Sequence, residues 1–133
     1  MKTVLCSGVF DLLHVAHVRH LEQAAGMGIL IVGVTVDHHV NKGYGRPVIP
    51  QEERVEMVRA LRCVNVAVLV NDSMQALKHV VPDIYCKGHD YLDKGLLPEE
   101  ITFCADHGIE IRHTTHNHQS TSKIIERIKC TSS

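Results

Sequence analysis

The stretch Ile29-Leu30-Ile31-Val32-Gly33-Val34-Thr35-Val36 constrains the fold more than any other. It carries no charge and is rich in β-branched residues, so it reads as a strand. A strand with one wet face alternates apolar and polar residues. This one does not, which fits a strand buried on both faces inside a parallel sheet. Parallel strands need long crossovers, usually helical, and helical patterns lie on either side. Residues 3–7 form a first short strand. Residues 15–26 then have helical spacing, with Val15, Val18, Leu21, Ala24 and Ala25 on one face and Gly26 and Gly28 at the end. After the second strand a Gly/Pro-punctuated loop at 37–49 leads to Pro50. That proline opens a helix with Glu52 and Glu53 in its first turn and Arg54, Val58 and Leu61 on one stripe. Residues 64–70 are a third strand, Asn71-Asp72-Ser73 cap a short helix to Val81, and Pro82 precedes a fourth strand at 83–87. A loop at 88–97, a helix from Pro98 to Asp106 or His107 stopped by Gly108, and a fifth strand at 109–111 follow. Residues 113–119 are a loop, and Ser120 or Thr121 caps a last helix whose stripe is Ile124, Ile125 and Ile128.

Five strands alternating with five helices specify an α/β fold: a five-stranded parallel sheet with helices on both faces. One domain is expected over residues 1–133, with a frayed tail at 129–133. Right-handed crossovers allow the doubly wound order 3-2-1-4-5. Ligands in such sheets sit at the carboxyl ends of the strands, where the order reverses, here beside the first strand.

Composition narrows the class of partner. The net charge of −1 gives no basic field, so neither nucleic acid nor a membrane surface is expected. No apolar run reaches the ~18 residues a membrane span requires, and Met1–Cys6 is too short in apolar length for a signal peptide. A cytoplasmic location is expected. The cysteines, Cys6, Cys63, Cys86, Cys104 and Cys130, are odd in number, widely spaced and without a Cys-x-x-Cys, which argues for reduced thiols. Tryptophan is absent and aromatics make up 4%, so aliphatic side chains must build the core. The 11 histidines are the unusual count. His38, His39, His79 and His107 read as surface residues. His113, His116 and His118 have no cysteine or carboxylate placed to help them bind a metal, and no metal site is expected.

Four segments that follow strands look non-random: 8–17, 42–54, 87–91 and 118–122. Strand-to-helix junctions of a parallel sheet share one edge, so the four can meet. Gly8 permits a tight turn, and Asp11 can cap or orient it. His14 and His17 stand at the entry to the first helix, whose free N–H groups attract anions. Two imidazoles there make a phosphate site able to stabilise charge moving onto a leaving pyrophosphate. The Gly-x-x-x-x-Gly-Lys-Ser/Thr loop is absent, which excludes a P-loop mechanism. Lys42 and Arg46, set among Gly43 and Gly45, can close over phosphates, the arginine with a forked contact. Arg54, partly buried at the rim, needs an anionic partner: a substrate phosphate or a salt bridge. Lys87 ends the fourth strand, and Asp90 holds a base or ribose group or closes an Asx turn beside Gly88. Ser120, Thr121 and Ser122 offer hydroxyls and free N–H groups, a phosphate cradle or a plain N-cap.

The run Gly8-Val9-Phe10-Asp11-Leu12-Leu13-His14-Val15-Ala16-His17 resembles the Gly-x-Phe-Asp-Leu-x-His-x-x-His signature of the cytidylyltransferase-like nucleotidyltransferases. That superfamily includes glycerol-3-phosphate cytidylyltransferase and the heptose-phosphate adenylyltransferase domain. The resemblance runs from about Thr3 to Ile128 and takes in Lys42, Arg46-Pro47, Glu53-Arg54, Lys87-Gly88-His89-Asp90-Tyr91 and Ser120-Thr121-Ser122. The wording around Lys42 and Lys87 is nearer to the sugar-phosphate branch. The resemblance implies a Rossmann-like domain that transfers a nucleoside monophosphate from CTP or ATP to a phosphorylated sugar or polyol and releases pyrophosphate. It implies His14, His17, Lys42 and Arg54 as catalytic. It puts Gly8, Val9, Phe10, Asp11, His14, His17, Lys87, Asp90, Ser120, Thr121 and Ser122 on the nucleotide, and Asp11, Lys42 and Arg46 on the acceptor. Mg²⁺ on the triphosphate and a homodimer are further implications. The chain departs from the family at Ala16, where the family has the glycine of His-x-Gly-His. A non-catalytic nucleotide-binding protein of the same fold is the alternative that this departure supports.

Overall fold

The computed structural model of the protein describes residues 1–40, 42–88, 95–115 and 125–129. The elements in chain order are β1 (Thr3–Gly8), α1 (Val15–Ala25), β2 (Ile29–Thr35), α2 (Gln51–Arg59), β3 (Val66–Val70), α3 (Ser73–Val80), β4 (Ile84–Lys87), α4 (Pro98–His107) and β5 (Glu110–His113). Residues 125–129 are helical. All strand pairings are parallel and the sheet order is β3-β2-β1-β4-β5, the doubly wound order expected from the sequence.

β2 is the doubly covered strand its composition demanded. It pairs with β1 from Thr3↔Ile29 to Gly8↔Val34 and with β3 from Ile31↔Val66 to Thr35↔Val70. Its Leu30, Val32 and Val34 join Val4 and Cys6 of β1 against Leu21 and Ala24 of α1 and Val55 and Val58 of α2. On the opposite face Leu5 and Tyr85 meet Ala76 and Leu77 of α3 and Cys104 of α4. The core is thus two mainly aliphatic layers, and burying each Leu or Val contributes roughly 1.5–3 kcal/mol. Local signals place the helix ends. The Asp72 carboxylate accepts from the Gln75 N–H at 2.8 Å at the start of α3. Pro98 is the first residue of α4, and Gly108 closes it in the left-handed conformation, φ 66°.

Most element ends fall within two residues of expectation, and three departures bear on the site. β5 runs on to His113, which pairs in register with Lys87, so His113 is a strand residue rather than a loop residue. The ladder lasts as long as β4 supplies partners, and that overrides the polar composition of Arg112 and His113. Val15 is 56% exposed, because the fully buried face of α1 begins later, at Leu21 and Ala24. Asp37–His39 form a single 3₁₀ turn inside the expected loop. His38, His39, His79 and His107 are exposed, and Cys6, Cys63, Cys86 and Cys104 are free thiols. Among the described residues no helix is long and apolar enough to cross a membrane.

Candidate functional site

The strand order reverses between β1 and β4. The chain leaves β1 through α1 to reach β2 on one side, and arrives at β4 on the other side from α3. The crevice beyond these two strands is where an open α/β sheet takes a ligand. After Gly8 the chain turns through Phe10 and Leu12, whose φ angles of 54° and 62° lie in the left-handed region. Non-glycine residues rarely adopt it, and such strain persists only where the surroundings impose it. Phe10 is buried, and its ring meets His17 edge-on with 5.4 Å between centroids. Gly8 is needed for space: a Cβ there would lie 3.1 Å from Cε2 of the Phe10 ring. Gly8, Phe10 and His17 are therefore packed against one another in sequence, with the Phe10 ring in the middle.

His14 is the N-cap of α1 and His17 its third residue, and the two cap the helix reciprocally. The His14 Nδ1 accepts from the Ala16 N–H at 3.2 Å, the His17 Nδ1 accepts from the His14 N–H at 3.2 Å, and the rings lie 4.0 Å apart. This is a capping box made of imidazoles where a hydroxyl and a carboxamide or carboxylate are usual. Each Nδ1 is an acceptor, so each neutral ring carries its proton on Nε2. Burial, and after it the nearby His14, Lys42 and His20, pushes the His17 pKa from 6.5 down to about 3. At neutral pH His17 is therefore an N–H donor without charge. The exposed Lys42 is close enough to act on it, which brings the glycine-hinged loop to the helix N-terminus.

Asp11 is buried beneath this loop. Its Oδ2 accepts from Arg46 Nε and from the Val48 N–H, both at 2.8 Å, and its Oδ1 accepts from the Ile49 N–H at 2.9 Å. Burial alone would raise its pKa, but the two backbone donors and the Arg46 guanidinium outweigh it and hold the carboxyl below 3.8. Asp11 and Arg46, both expected on the acceptor, are set on each other and clip the second loop to the first.

Arg54 calls for a correction. The sequence places it partly buried at the rim, catalytic and with a substrate phosphate or a salt bridge as partner; it is 0% exposed, and the partner is the salt bridge. Its Nε donates to the Ile49 carbonyl at 2.8 Å, its Nη1 to the carbonyls of Val9 at 2.7 Å and Thr35 at 2.8 Å, and its Nη2 to Asp37 Oδ1 at 2.6 Å. The guanidinium has no surface from which to touch a phosphate. It ties the carboxyl ends of β1 and β2 to the start of α2, and the Val9 expected on the nucleotide offers its carbonyl to this clamp. Lys87, at the end of β4, is 7% exposed and donates to the Tyr85 hydroxyl at 3.2 Å. Asp90, Ser120, Thr121 and Ser122, with His116 and His118, lie outside the described residues.

Residues 5–127 match the cytidylyltransferase-like family. The chain belongs to the cytidylyltransferase-like family. Membership agrees with the resemblance carried by the first loop. It is 38% identical over 132 residues to the bifunctional protein HldE of Citrifermentans bemidjiense, covering 96% of this chain and 27% of that protein. With the bifunctional protein HldE of Helicobacter pylori (strain HPAG1) the identity is 36% over 143 residues, covering 98% of this chain and 28% of the relative. The chain thus spans little more than a quarter of the length of the curated relatives it matches. Among solved structures it is similar to the lipopolysaccharide core biosynthesis protein from Thermoplasma volcanium GSS1, with a TM-score of 0.72 and 27% identity, covering 89% of this chain and 99% of that one.

Against the cytidylyltransferase-like pattern, Ala16 can be judged physically. It sits in the first turn of α1 with ordinary right-handed dihedrals, so the family glycine answers a need for space beside the helix start and not for a special backbone angle. Further groups reach this edge. The His20 Nδ1 lies 2.9 Å from the Thr114 hydroxyl, and the Gln23 carboxamide holds both the N–H and the hydroxyl of Thr115. They join α1 to the chain leaving β5, toward the Ser120 motif. His20 stands one turn beyond His17, so the His14-His17-His20 spacing was the available signal. Among the described residues no group of histidines, cysteines and carboxylates is arranged to hold a metal ion.

Proposed function

We propose that the chain transfers a nucleoside monophosphate from ATP or CTP to a phosphorylated sugar. An oxygen of the acceptor phosphate forms the new bond to the α-phosphorus, the bond from that phosphorus to the bridging oxygen breaks, and pyrophosphate leaves. The observation that carries this reading is the imidazole capping box at the N-terminus of α1, facing the crevice between β1 and β4. It gathers two Nε2–H groups at a helix N-terminus, where negative charge growing on the leaving group is favoured. His14 and His17 stabilise that charge. Lys42, on its glycine hinge, neutralises phosphate from above, and Lys87 holds a nucleotide phosphate from the β4 side. Ser120, Thr121 and Ser122 bind the triphosphate, and Asp90 a base or ribose group. Catalysis is positioning and charge stabilisation, with no covalent intermediate.

The nearby described carboxylates, Asp11 and Asp37, already hold Arg46 and Arg54. The nucleotide therefore enters as its magnesium complex, with the metal on the substrate's own phosphates, the usual habit of Mg²⁺. The sugar-phosphate acceptor is supported by the HldE relatives and by the lipopolysaccharide core biosynthesis protein. A cytoplasmic location and a homodimer belong to the same proposal; sedimentation of the purified chain tests the dimer. A non-catalytic nucleotide binder is favoured by Ala16 alone. A matrix of four nucleoside triphosphates against phosphorylated sugars and polyols, read by pyrophosphate release, decides between the two. Turnover with ATP or CTP and a sugar phosphate is expected, and His17→Ala should lower it by about 10²–10³-fold. Residual activity within a few-fold of the parent would remove His17 from the mechanism.

A further inference from the structure

A tyrosine, a glutamate and a serine converge behind Lys87, and no step above uses them. Tyr85 is fully buried and Glu100 nearly so. The Tyr85 hydroxyl donates to Glu100 Oε2 at 3.0 Å and accepts from Lys87 Nζ at 3.2 Å, while the Ser73 hydroxyl donates to Glu100 Oε1 at 2.6 Å. The relay joins three elements: Ser73 begins α3, Tyr85 lies within β4, and Glu100 is in the first turn of α4. Packing does not require it. Tyr85 is surrounded by Leu5, Leu77 and Cys104 in an apolar layer, where a phenyl ring would fill the same space. Buried charges are a poor source of stability compared with apolar residues of the same volume. A carboxylate in such a layer is tolerated because two hydroxyls donate to it and an ammonium faces it across one of them.

The relay gives the Lys87 ammonium a fixed partner, the Tyr85 hydroxyl at 3.2 Å. A lysine on a flexible four-carbon stem samples many positions, and fixing it beforehand removes that entropy from the binding step. Lys87 ends β4, the neighbour of β1, at the edge where the strand order reverses.

We propose that Tyr85, backed by Glu100 and Ser73, is a positioning residue that fixes the Lys87 ammonium at the switch point for a nucleotide phosphate. The inference rests on the placement of Lys87 given above. The test is calorimetric titration of MgATP and of MgCTP into the whole chain, as parent, Lys87→Ala, Tyr85→Phe and the double variant. Lys87→Ala should weaken binding of the preferred nucleotide about 10–100-fold, as expected for a lost charge-assisted contact. Tyr85→Phe should weaken it at least about threefold. The double variant should bind within about twofold of Lys87→Ala, because a hydroxyl that acts only through the ammonium has nothing to add once the ammonium is gone. Ser73→Ala and its double variant with Lys87→Ala repeat the cycle should Tyr85→Phe fail to fold. Parental affinity in Tyr85→Phe alongside a weakened Lys87→Ala would overturn the relay and leave the site standing. Additive losses in the double variant would make Tyr85 merely structural and overturn it as well. Parental affinity in Lys87→Ala would remove that lysine from the site and the relay with it, and a parent that binds neither nucleotide would overturn the site itself.

Discussion

On the β2 side of the α1 N-terminus, Asp11 and Arg54 direct their charges at the protein itself. Asp11 takes Arg46 and two backbone N–H groups, and Arg54 takes three carbonyls and Asp37. On the β4 side Lys87 ends a relay of Tyr85, Glu100 and Ser73. The first flank is a frame, in which charge is satisfied between loops and the loops are held in place. The second flank is a mount, in which buried groups behind the sheet hold one ammonium at its edge. Residues of similar chemistry thus do different work according to what their neighbours accept, and the difference can be broken experimentally.

The largest expected effect lies in the frame. Arg54→Ala leaves three carbonyls and the Asp37 carboxylate without their donor, and should cost about 3–5 kcal/mol of unfolding free energy in a urea titration. A variant of parental stability that had lost only nucleotide affinity would return Arg54 to the phosphate. Asp11→Asn is next. An amide cannot accept on both heads, so one of the Val48 and Ile49 N–H groups loses its partner, at about 1–3 kcal/mol by thermal or urea unfolding.

His17 and Asp11, at the two ends of the first loop, should also separate by pH. The His17 pKa falls from 6.5 to about 3 on folding, so between these values the unfolded chain binds a proton that the folded chain does not, and stability declines as pH drops from 6.5 toward 3. Asp11 has a folded pKa below 3.8, so its contribution is present above that value and is lost only as pH falls through the folded pKa. His17→Gln should flatten the stability profile between pH 6.5 and 4, a window taken from the His17 shift, whereas Asp11→Asn should leave the slope there unchanged. A parental slope in His17→Gln would show that His17 is not the group held neutral.

The smallest effect is at Ala16. Ala16→Gly should lower stability by about 0.5–1 kcal/mol, the helix cost of glycine, and tighten MgATP or MgCTP binding a few-fold if the methyl group crowds the nucleotide. Unchanged affinity would show that the crevice already accommodates it.

The elements were legible because their signals are local. The unalternating run at 29–36, the Asp72 cap, Pro98 and Gly108 each act within a turn or two of the chain. The histidine pair at the first helix was legible for the same reason, since its spacing alone brings His14 and His17 together at an N-terminus. Arg54 was not. Its stripe with Val58 showed burial, but whether its partner was phosphate or protein depended on Val9, Thr35 and Asp37, which other loops deliver. Tyr85 and Glu100 gave no signal at all, because a polar group in a buried strand and an acidic residue in a first helical turn are each ordinary by themselves. His113 passed for a loop residue until β4 supplied it a partner in Lys87.

By itself, then, the sequence determined the sheet, its order and the helix end that carries two imidazoles, since periodicity, capping and handedness are properties of neighbouring residues. Tertiary structure alone decided which partner each buried charge takes. A charge takes whatever partner the fold brings within about 3 Å, and for Asp11 with Arg46 and Arg54 with Asp37 that partner comes from a different loop.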